Sequence, residues 1–80
     1  MQTPAAVELL RSALEEATRV ISRILENLEE YQKWLGQASW DSERQYLEVR
    51  IGQEKEALER FRLRQSQLKA ELDYLEGSRY

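Results

Sequence analysis

Eighty residues make one domain at most, and a chain this short buries only a modest core. Charged residues are 34% of it, with 15 acids against 12 bases and a net charge of −3, a balance that argues against a dedicated nucleic-acid binder. There is no cysteine and no histidine, which excludes a disulfide framework and thiolate metal sites and removes the commonest general base and metal ligand.

The chain opens on Met1-Gln2-Thr3-Pro4, with no basic region leading into an apolar one, so no signal peptide is expected. No apolar stretch approaches the roughly eighteen residues of a membrane span. The expected location is the cytoplasm, or the outside by a route that uses no such signal. Thr3 before Pro4, the only proline, reads as an N-cap followed by the first helical residue. From there Val7, Leu10, Leu14, Ala17, Ile21, Ile24, Leu28, Tyr31 and Leu35 are spaced alternately three and four apart, and all are apolar or aromatic. An unbroken seam of that period predicts coiled-coil packing of a first helix over about 4–35. Gly36 suits a left-handed cap, and the turn is placed at 36–38.

Ser39 reads as the N-cap of a second helix over about 39–76, with Asp41 and Glu43 at the positive end of its dipole. Gly77 ends it, leaving Ser78, Arg79 and Tyr80 as a tail. Its seam is Trp40, Arg44, Leu47, Ile51, Glu54, Leu58, Phe61, Gln65, Leu68, Leu72 and Leu75. The predicted fold is all-α: a two-helix antiparallel coiled-coil hairpin filling residues 1–80 as a single domain. Folding it back pairs residues whose numbers sum to about 75, so that Leu28 meets Leu47, Ile24 meets Ile51, Ala17 meets Leu58 and Val7 meets Leu68. In that register Leu72 and Leu75 overhang helix 1 and lack partners within one chain. Glu54 and Gln65 either fix the register or reach water at the seam's edge.

A second apolar stripe runs beside the first seam through Ala6, Ala13, Val20 and Trp34, interrupted by Asn27, with Leu9 and Leu25 further out. Helix 2 has a thinner counterpart in Tyr46, Val49, Leu63, Ala70 and Tyr74. One seam suffices for an isolated hairpin, so the wider face predicts more neighbours: a homodimer forming a four-helix bundle, or a helical partner protein. The expected partner-binding residues are Leu9, Val20, Leu25, Trp34, Leu63, Leu72, Tyr74 and Leu75.

Chemistry finds little footing. There is no glycine-rich phosphate loop and no nucleophile motif, so neither catalysis nor a cofactor or metal is expected. The basic run Arg60, Arg62, Arg64 and Lys69 is diluted by Glu56, Glu59 and Glu71, and reads as a solvated helix surface. Read as a patch instead, it would suit an RNA-binding dimer of hairpins like that of ROP. Asp41-Ser42-Glu43-Arg44-Gln45-Tyr46 resembles the acidic hairpin tip of bacterial transcript-cleavage factors, without their characteristic spacing or their second domain. Trp34-Leu35-Gly36 is similar to the turn motif of the WXG family of small secreted hairpins and falls where that family has it, between the helices. That resemblance covers these few residues and implies a secreted structural partner. The family's C-terminal export pattern is not met, because Ser78, and not an acid, stands four places after Tyr74. In size and acidity the chain also resembles the small co-chaperones of type III secretion needle subunits. The function expected from the residues themselves is a non-catalytic interaction module: an adapter, assembly chaperone or small regulatory subunit.

Overall fold

The computed structural model of the protein describes residues 4–77; Thr3 and the tail of Ser78, Arg79 and Tyr80 lie outside it. Two helices, α1 (Pro4–Gln37) and α2 (Asp41–Gly77), fold back on each other. They form a rod of 60 × 14 × 14 Å. The all-α helical hairpin expected from the heptads is present. No described helix is long and apolar enough to cross a membrane.

The predicted α1 seam faces α2 throughout. Val7, Ala17, Ile21, Ile24 and Leu28 are buried, and Leu10, Leu14, Tyr31 and Leu35 are half-buried. On α2, Leu47, Ile51, Leu68, Leu72 and Leu75 are buried, with Leu58 and Phe61 half-buried. The core has two apolar clusters. Near the turn, Ile24, Leu28 and Ile51 form one, flanked by Leu58 and Phe61. At the open end, Val7, Leu72 and Leu75 form the other, flanked by Leu10 and Leu14. A polar bond ties the helices in between, where Gln65 Nε2 donates to Thr18 Oγ1 at 3.2 Å.

The register differs from the sequence expectation. Val7 packs with Leu72 and Leu75, so these two leucines do not overhang: they are 6% and 8% exposed. The cause lies at the turn. Gly36 does not take a left-handed cap, and no described glycine has a positive φ. α1 therefore runs on to Gln37, and the reversal centres on Ser39, further along the chain than a turn at 36–38 would put it. Moving the reversal point raises the sum of paired residue numbers. The cross-helix pairs Tyr31–Arg50 and Thr18–Gln65 sum to 81 and 83, in place of about 75.

The second cap also differs. Arg44 N–H donates to the Trp40 carbonyl at 3.1 Å, which makes Trp40, and not Ser39, the N-cap. Trp40 is then part of the connection and 69% exposed, outside the seam it was expected to open. Ala38 fills the turn and is buried, its N–H donating to the Leu35 carbonyl at 3.3 Å. Arg44 reaches back to the Ala38 carbonyl through Nε at 3.4 Å, so this seam arginine fastens the turn. Asp41 and Glu43 remain in the first turn of α2, where carboxylates favour the dipole.

Candidate interaction surface

The two long sides of the hairpin differ in chemistry. Reversing one helix against the other sets equivalent heptad rows side by side, so the rows flanking the two seams meet in pairs. On one side lie residues 11, 18, 25 and 32 of α1 and 48, 55, 62, 69 and 76 of α2. Arg11 Nη2 donates to Glu76 Oε1 at 2.7 Å there, between two exposed side chains. The Thr18–Gln65 bond lies on this side too, and Leu25 is its one large apolar residue.

The other side carries four large exposed apolar side chains, Leu9, Trp34, Tyr46 and Tyr74, set among charged ones. The α1 row beside the seam holds Ala6, Ala13, Val20, Asn27 and Trp34, with Leu9 in the next row out. On α2 the row beside the seam holds Glu43, Arg50, Ala57, Arg64 and Glu71, and the next holds Tyr46, Gln53, Arg60, Gln67 and Tyr74. Val20 and Ala57 both pack against the turn-side core cluster. At the open end Leu9 and Tyr74, each 72% exposed, stand at one height. At the turn end Trp34, 48% exposed, stands level with Tyr46.

An arginine that sequence reading passed over organises the turn end of this side. Arg50 Cζ sits 5.6 Å from the centroid of the Tyr31 ring, within cation–π range. Its Nη2 donates to the Tyr31 hydroxyl at 3.2 Å and lies 3.9 Å from Glu54 Oε1. Trp34 meets Tyr31 edge-on, with centroids 6.2 Å apart and an interplanar angle of 62°. The hydrogen bond to Tyr31 is the largest influence on the guanidinium and raises its pKa above the ordinary value, so Arg50 stays charged at any accessible pH. Glu54 is thereby a half-buried seam acid with a cationic partner. The signal for this cluster was the step of nineteen residues across the turn from Tyr31 to Arg50, which only the correct register reveals.

Of the residues expected to bind a partner, the fold gathers Leu9, Val20, Trp34 and Tyr74 on the apolar side. Leu25, 43% exposed, faces the charged side, and Leu63 lies on the back of α2. Leu72 and Leu75 are withdrawn into the intrachain core. The basic run does not converge: Arg60 and Arg64 belong to the apolar side, Arg62 and Lys69 to the charged one. Among the described residues no group of three or more acids converges as a metal site would require. No protein-family model matches the chain, and neither does any curated protein or any solved structure.

Proposed function

We propose that this chain is a non-catalytic protein–protein interaction module that pairs with a second copy of itself through the apolar side of the hairpin, making a four-helix bundle. The supporting observation is the one-sidedness. Leu9, Val20, Trp34, Tyr46 and Tyr74 share a side, set among charges of both signs, while the opposite side has Leu25 as its one large apolar residue. Covering such a surface removes apolar area from water at about 25 cal/mol per Å². Adapter, assembly chaperone and small regulatory subunit are all uses to which the dimer's outer faces lend themselves, and the cytoplasm is the proposed setting.

Tryptophan fluorescence tests the pairing. In a Trp40→Phe variant the only indole is Trp34. Its emission is expected to move to longer wavelength on dilution, as the dimer parts and the ring meets water. An emission maximum that stays at the solvent-exposed value from high to low concentration would overturn the reading.

A further inference from the structure

Resting on that self-pairing reading, we propose the geometry of the pair: two hairpins stack face to face about a two-fold axis crossing the rods at Val20, so that each turn lies at the other's open end. The α1 stripe is its own antiparallel complement. Laid over a copy, Val20 meets the partner's Val20, Ala13 meets the partner's Asn27, and Ala6 meets the partner's Trp34, small against large. In the row outside, Glu16, which also accepts from its own Arg19 Nη2 at 2.6 Å, faces the partner's Arg23, once on each side of the axis. α2 repeats the pattern, with Arg50 facing the partner's Glu71 and Tyr46 facing the partner's Tyr74.

The two helices agree on where the axis is. The α1 pairs centre within half a residue of 20, and the α2 pairs within half a residue of 60. Residues at one height in this hairpin have numbers summing to about 80, as Val7–Leu72 and Tyr31–Arg50 show, so the two centres coincide. Val20 also lies at the middle of Pro4–Gln37, so the copies overlap along their whole length. A face of the 60 × 14 Å rod is roughly 800 Å², the share one partner contributes to a stable interface. The arrangement has two costs: Arg60 lies beside the partner's Arg60, each four residues from its own Glu56, and Leu9 meets the partner's Glu30, once on each side of the axis. Stacking the turns together instead sets Arg23 against the partner's Arg60 twice.

The chain has no native cysteine, which makes cross-linking clean. Ser39 is exposed at the centre of the reversal, on neither side of the rod, so Ser39→Cys is a probe of the turn. Val20→Cys is expected to give a disulfide-linked dimer under mild oxidation, and Ser39→Cys none. Sedimentation of the unmodified chain runs alongside. A dimer that cross-links through Ser39→Cys, or fails to through Val20→Cys, overturns this geometry and leaves the self-pairing reading standing. A monomer at all concentrations overturns both. Charge reversal gives a second measure: Glu16→Arg and Arg23→Glu are each expected to weaken the dimer about threefold to tenfold, and the double variant to recover most of the loss. These residues are seven apart, roughly 10 Å along one helix, beyond direct pairing within the chain. Absence of recovery with helicity intact contradicts the proposed register.

Discussion

Ile51→Ala is expected to lower the stability of the hairpin by about 2–4 kcal/mol, enough to leave much of the chain unfolded at micromolar concentration. Ile51 is the α2 member of the turn-side cluster and packs against both Ile24 and Leu28. The void opens between the two helices of one hairpin, and the total stability of so small a core is itself only a few kcal/mol. Urea unfolding followed by circular dichroism reads the effect. Val49→Ala, on the exposed back of α2, is the matched control and is expected to change stability by less than about 0.5 kcal/mol. Equal losses for the two variants would mean that Ile51 is not core.

Trp34→Ala is expected to act on association and to leave the fold intact. Within its own chain Trp34 meets Tyr31 edge-on and stays half in water. At an interface a buried tryptophan is worth about 2 kcal/mol, and symmetry counts it twice, so dimer affinity should fall by roughly a thousandfold. Trp40→Ala removes an equally large ring from the exposed connection and should change affinity little. Sedimentation equilibrium on both variants separates them. If Trp40→Ala weakened the dimer as much as Trp34→Ala, the interface would lie at the turn and not along the side of the rod.

The fold was largely legible because its determinant is a period. Nine apolar residues of α1 at alternating steps of three and four can face only one partner helix, and α2 repeats the step through Leu47, Ile51, Leu68, Leu72 and Leu75. The register was harder to read, because a heptad seam fits a neighbour at several settings and the turn chooses among them. Gly36 could end a helix or continue it with nearly the same local energy, and the structure continues it. That choice drew Leu72 and Leu75 into the core and changed their reading from partner contacts to stability determinants. It also set Arg50 over Tyr31, an encounter between residues on different helices that no local pattern announces. The apolar side was half legible. The stripe through Ala6, Ala13, Val20 and Trp34 stood out by its period of seven, but whether Leu9, Leu25, Leu63 and Tyr74 joined it depended on which rows the reversal brought to one side.

The measurement that bears most directly on the central claim is light scattering after size-exclusion chromatography, across a hundredfold range of concentration, with circular dichroism on the same samples. Two associated 9.5 kDa chains, strongly helical and persisting on dilution, are the predicted result. A fully helical single chain at every concentration would contradict the account, because the hairpin would then be stable with its apolar side bare.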